Sequence, residues 1–265
     1  MSPLDAPSPA PALPVLFVGH GTPMNAIEET PFAVAWREAA RGLPRPRAIL
    51  CISAHWETSG SRVTALPRPQ TIHDFYGFPE ELYRVRYPAP GSMALAERVR
   101  RLVRSTPVED DLDRGLDHGT WTVLRRMYPE ADVPVVQLSL DRTAPPRRHY
   151  EIARELLPLR REGVLIIGSG NLVHNLSRMR WDDDTPYAWA REFDRLAAEL
   201  ILAGDHDRLI DYPALGDVAR LSVPTNEHYL PLLYALALQE PGETPAFFAT
   251  GLVFGSISMR SLRIG

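Results

Sequence analysis

Three short apolar runs, each ending a few residues before a histidine, limit the folds open to this chain more than any other feature. They are Pro14–Val18, Ala48–Ile52 and Val164–Ile167, and they lead into Gly19-His20-Gly21-Thr22-Pro23, Ser53-Ala54-His55-Trp56 and Gly170-Asn171-Leu172-Val173-His174-Asn175. Continuous apolar runs of this length mark strands buried on both faces, as in a parallel sheet. Residues just past the carboxyl ends of such strands converge on one crevice in an open α/β sheet. A fourth histidine, His228, stands in Thr225-Asn226-Glu227-His228-Tyr229. Taken singly, each histidine reads as a hydrogen-bonded polar residue. Together they predict a metal site assembled from distant segments, because imidazole is the commonest protein ligand for divalent transition metals. The spacing names no metal, being neither His-Glu-x-x-His nor Cys-x-x-Cys.

Helical patterns alternate with the runs. Phe32–Arg41 has helical spacing and stops at Gly42; Ser92 is an N-cap for a helix to Arg104; Asp117 opens a short helix ending near Tyr128. Further helices are expected over Pro145–Arg161, Tyr187–Ala203 and Glu227–Leu238, and further strands over Arg62–Leu66 and Pro134–Leu140. Ala246–Phe254 and Ser256–Ile264 read as a hairpin across Gly255. Pro67–Gly91, rich in Pro, Gly and aromatics, reads as a long functional loop. The expected architecture is a single-domain α/β sandwich, its central mixed, largely parallel sheet flanked by helices. It spans 14–265, behind a disordered extension at 1–13 that is rich in Pro, Ala and Ser.

With 265 residues, 45% of them hydrophobic, the chain can bury a full core and a water-excluding pocket. The formal net charge is −4 and the basic residues are dispersed among acids, which argues against nucleic acid as a partner. No apolar run approaches the roughly 20 residues that span a bilayer, and the N-terminus lacks the features of a signal peptide. A cytoplasmic protein, monomer or homodimer, with no membrane partner is expected. The single cysteine, Cys51, lies in an apolar run and reads as a small core residue. His149 and His206 fall in charged helical contexts and are expected to be solvated.

Two motifs fail. Gly168-Ser169-Gly170 lacks both dinucleotide and Walker spacing and is not a nucleophile elbow; it reads as a tight turn where backbone approaches a ligand closely. Glu57 follows His55 as in zinc deaminases, but the Pro-Cys-x-x-Cys partner is absent.

Six motifs taken in order resemble one family: Gly19-His20-Gly21-Thr22-Pro23-Met24, Ser53-Ala54-His55-Trp56, Thr71 to Pro79, Asp117-His118-Gly119-Thr120-Trp121, Gly170 to Asn175, and Glu227-His228-Tyr229-Leu230-Pro231-Leu232. The chain is similar, from about Pro14 to Gly265, to class III extradiol ring-cleaving dioxygenases, in particular the 4,5-DOPA dioxygenase branch. The resemblance implies a non-haem metal site that opens a catechol ring beside its two hydroxyls, using O2. It implies His20, His55 and His228 as ligands, with His174 either a fourth ligand or the acid/base. Glu227 is then a supporting residue or a helix N-terminal acid.

The implied chemistry needs Fe(II), although zinc can occupy such a site after purification. His174 and His118 are the candidates for proton transfer; His118 alternatively makes a local hydrogen bond at a helix start. His73, Asp74 and Phe75 are expected to face a planar substrate, or else to stabilise their own loop. The implied substrate is a catechol such as L-DOPA, giving a seco-DOPA semialdehyde and then a betalamic-acid-type product. The alternatives are a zinc-dependent hydrolase or a non-catalytic metal-binding module on the same scaffold.

Overall fold

A computed structural model describes residues 12–265. At its centre six strands lie in the order Val135–Gln137, Ala48–Ser53, Val164–Gly170, Val15–Gly19, Ser261–Ile264 and Pro245–Ala249. The first four are mutually parallel; Ser261–Ile264 runs antiparallel to both of its neighbours. The sheet is therefore mixed and largely parallel, as expected.

Alternate residues of the inner strands feed two cores. Val15, Phe17, Leu50 and Ile166 pack on one face, with helices Ala188–Ala203 and Leu230–Ala237. Leu16, Val18, Ile49 and Ile167 pack on the other, with Pro31–Arg41 and His118–Met127. Burial on both faces explains why these strands carry no polar alternation.

Several boundaries differ from expectation for identifiable reasons. The run Pro134–Leu140 breaks in two, its end Leu140–Asp141 pairing instead with Glu57–Thr58. The strand expected over Arg62–Leu66 is Ser61–Thr64, which leaves the central sheet to pair with Val108–Asp111. Pro146–Glu155 is α-helical, and the remainder of its predicted span tightens into a 3-10 turn from Leu157, where Pro158 has no amide to donate. The C-terminal hairpin forms as two antiparallel pairings, Pro245–Ala249 with Ser261–Ile264 and Leu252–Val253 with Ile257–Ser258. Its inner turn holds Phe254 at φ 52° and Gly255 at φ 74°, the left-handed pair a tight hairpin requires.

The expected extension at 1–13 falls largely outside the described residues. Its last residue, Leu13, is instead part of the domain: it is buried, its amide donates to Arg160 O, and its carbonyl accepts from Arg160 Nε at 2.7 Å. His149 also corrects its expectation. It is fully buried, with Nδ1 3.2 Å from Tyr234 Oη and Nε2 3.2 Å from Asp141 O. His206 is half-buried against Tyr150 Oη at 2.9 Å rather than free in solvent.

Candidate metal centre

The strand ends deliver the histidines as the parallel topology requires. His20 follows Val15–Gly19, His55 follows Ala48–Ser53, and His228 sits in the turn before helix Leu230–Ala237. One ring nitrogen from each of these three lies within 4.8 Å of the others. The helix predicted from Glu227 begins only at Leu230, so Glu227 and His228 are presented on irregular backbone.

That turn is pressed onto the central strand. A Cβ at Gly170 would collide with the carbonyl of His228, and one at Gly168 with that of Pro231. The Gly168-Ser169-Gly170 segment is thus not a ligand-binding turn but the end of strand Val164–Gly170, kept bare so that the His228 backbone can approach.

The hydrogen bonds fix which nitrogen of each ring faces inward. Ser169 Oγ donates to Gly119 O at 2.6 Å, so it accepts from His20 Nδ1 at 3.0 Å. The Nε2 lone pair of His20 then points into the site. His228 Nδ1 donates to Glu227 Oε1 at 3.0 Å, and its buried Nε2 has no protein partner. His20 Nε2 and His55 Nε2 stand 3.0 Å apart, the span of two nitrogens bound to one cation through bonds of about 2.1 Å. Burial, then the charge of neighbouring histidines, His55 foremost for His20 and His174 for His228, holds both well below the usual imidazole range. His55 is held down likewise, by burial and then by His118. Neutral imidazoles with inward lone pairs are the form that ligates metal, so the residues fit a divalent ion.

His174 lines the same cavity but is oriented differently. Its ring stacks on His228 with centroids 3.4 Å apart and planes 8° from parallel. Imidazole lone pairs lie in the ring plane, so two stacked rings aim along separate planes rather than at one cation. Burial, then the nearby His118, lowers its pKa to about 4.

Asp74 connects the remaining groups. Its Oδ1 accepts from the His118 backbone amide at 2.8 Å, and its Oδ2 lies 3.1 Å from His118 Nδ1 and 3.7 Å from His55 Nδ1. Burial alone would raise this carboxyl, but the hydrogen bond and charge of His118 and the charge of His55 bring it down to about 2. Behind it, the buried Asp117 accepts from Ser53 Oγ, Gln137 Nε2 and Arg114, which also reaches His55 O.

The cavity these groups share measures about 360 Å³. Of the three residues predicted to face substrate, Asp74 and Phe75 line it. His73 does not; its Nε2 bonds Val85 O at 3.1 Å and its ring packs on Trp121, bracing the loop from behind. Leu176, Met179, Trp181, Phe254 and Ile257 complete the wall and were not anticipated. The only sequence signal among them is Trp181, an aromatic set beside three consecutive aspartates in a loop. Nothing in the sequence around Ser169 marks it as a histidine's partner.

Fold and site together define an α/β enzyme with a histidine-lined cavity, suited to a metal ion and a flat aromatic ligand. Residues 14–248 match the family described as the catalytic LigB subunit of aromatic ring-opening dioxygenase, and the chain belongs to that family. It is similar to a 4,5-DOPA dioxygenase extradiol of Escherichia coli K12, at 46% identity over 96% of this chain and 95% of the relative. A Beta vulgaris protein of the same name is 40% identical over 83% of this chain and 84% of its own length. A crystal structure of an uncharacterized Escherichia coli K12 protein superposes with a TM-score of 0.84 at 43% identity, covering 96% of this chain and all of that one. The chain is an extradiol ring-cleaving dioxygenase. No helix among the described residues is long and apolar enough to cross a membrane.

Proposed function

We propose that residues 14–265 form one catalytic domain that opens a catechol ring beside its two hydroxyls with O2, at a divalent metal held by His20, His55 and His228. The observation that carries this reading is the three inward ring nitrogens within 4.8 Å, with the outer nitrogens of His20 and His228 tied to Ser169 and Glu227. Iron(II) at this site would acidify the catechol hydroxyls and activate O2, whereas redox-inert zinc would not activate O2. Zinc remains able to replace it on imidazole ligands. The enzyme is assigned to the cytoplasm as a monomer or homodimer.

The protein's own groups handle the protons. The His174 ring, neutral at pH 7, is placed to accept a proton from a catechol hydroxyl. The stacking on His228 favours this acid/base role over that of a fourth ligand. His118, with its Nδ1 3.1 Å from Asp74 Oδ2, is positioned to serve as the proton donor as the ring opens. Phe75 and Phe78, in edge contact at 5.3 Å, form one wall against the ring. L-DOPA is the substrate to which the relatives' names point; its cleavage gives a seco-DOPA semialdehyde that cyclises to a betalamic-acid-type product.

The test is aerobic incubation of iron-loaded protein with L-DOPA and simpler catechols, following O2 uptake and the yellow product. His20→Ala and His228→Ala should lose bound metal. His174→Gln should keep the metal while turnover falls by about 10²–10⁴-fold. No O2 uptake with any catechol sinks the reading.

A further inference from the structure

Two groups of the site come from different parts of the chain yet stand side by side: the His55 and His118 rings have centroids 3.9 Å apart. His55 follows strand Ala48–Ser53, and His118 is the first residue of helix His118–Met127. The carboxyl group of Asp117 bonds to the supports of both. It caps the helix, Oδ1 accepting the Thr120 amide at 3.1 Å, and so fixes the turn from which His118 projects.

The same group reaches His55 from both ends of that residue's backbone. Asp117 Oδ1 accepts from Ser53 Oγ at 2.7 Å, and this hydroxyl accepts the His55 amide at 3.3 Å. Asp117 Oδ2 accepts from Arg114 Nη2 at 3.2 Å, and the same nitrogen donates to His55 O at 2.9 Å. Gln137 locks the carboxyl in place: its Nε2 donates to Oδ2 at 2.7 Å, and its Oε1 accepts the Asp117 amide at 3.1 Å. A helix cap needs only the first of these bonds. Asp117 is instead fully buried, with two donors on each oxygen. Gly119 keeps the cluster tight, since a Cβ there would strike Ser53 Oγ and His55 Cδ2.

We propose that Asp117 is a positioning residue that sets the ligand His55 and the proton donor His118 relative to each other, acting through Ser53 and Arg114. The inference rests on the metal site of the ring-opening reading. Asp117→Asn keeps the side chain's size but turns amide hydrogens towards donors, either Ser53 and Thr120 or Gln137 and Arg114. Chelator competition with zinc-loaded protein should show metal affinity lower by about 10–100-fold, the usual scale for groups that orient a ligating histidine. The visible spectrum of cobalt-loaded protein should change too, because it reports the geometry of the ligands. With saturating iron, kcat should fall by about tenfold or more while KM for catechol changes little. Arg114→Met releases the His55 carbonyl and leaves the helix cap intact. It should shift the cobalt spectrum with a smaller loss of affinity, and it carries the test if Asp117→Asn does not fold. Leu124→Ala, a cavity further along the same helix, should lose stability and keep its metal affinity. A folded Asp117→Asn or Arg114→Met protein with the parent's affinity and cobalt spectrum overturns the proposal. A parent protein that binds no metal would sink the ring-opening reading along with it, so the two failures are distinguishable.

Discussion

Ser169 Oγ accepts a hydrogen bond from His20 Nδ1 at 3.0 Å and donates one to Gly119 O at 2.6 Å. This ties the end of the central strand to the first turn of the helix that carries His118, and fixes the tautomer of a metal-facing ring in between. Ser169 is thereby a positioning residue. Partners that orient a ligating histidine typically contribute 10–100-fold in metal affinity, so Ser169→Ala should weaken metal binding by about that factor. Competition with a chelator measures it, and unchanged affinity would remove Ser169 from the site's support.

Glu227 makes the same kind of contact with His228 Nδ1 at 3.0 Å, and is held in turn by Thr225 Oγ1 at 3.0 Å. Glu227→Gln keeps an acceptor but removes the charge that strengthens the imidazole as a donor. Metal affinity should fall less than for Glu227→Ala, and both variants should keep the fold. If Glu227 were itself the ligand in place of His228, Glu227→Gln would instead abolish metal binding while His228→Ala spared it.

The strands and the histidines behind them were legible because burial on both faces leaves an unmistakable apolar run, and because parallel topology brings strand ends together. The order of the sheet and the sense of its antiparallel edge followed less directly, since Ser61–Thr64 and Leu140–Asp141 pair outside the central sheet on contacts remote in sequence. The apolar rim was not legible, as Leu176, Met179 and Trp181 lie in a loop without periodicity. His149 misled for a related reason. Its neighbours Arg147, Arg148 and Glu151 are charged, yet the helix turns its one imidazole inward to Tyr234.

That burial has a pH signature. The low-dielectric surroundings of His149 lower its pKa to about 4, whereas in the unfolded chain it titrates near 6.5. Between these values the unfolded state binds the proton and the folded state does not, so stability must fall as pH drops from 6.5 towards 4. At about 1.4 kcal/mol per pH unit the loss approaches 3 kcal/mol. The buried site histidines act in the same direction in metal-free protein. His149→Gln should therefore flatten only part of the acid limb in urea titrations at pH 4, 5, 6 and 7. An identical pH slope in the variant would mean that His149 is protonated in the folded protein.

The close approach at Gly170 yields the most local test. A methyl group there meets the His228 carbonyl, and that backbone also accepts the Asn171 amide at 2.8 Å, so neither side can retreat without breaking a hydrogen bond. Gly170→Ala should cost about 1–3 kcal/mol through overpacking. The strain falls on the turn carrying Glu227 and His228, so metal affinity should drop as well, although no ligand has been altered. Gly204→Ala is the control, because nothing crowds a Cβ there although its φ of 69° is left-handed. It should lose stability through backbone conformation alone and keep its metal affinity, and a Gly170→Ala protein that also kept it would show that the strand does not set the position of His228.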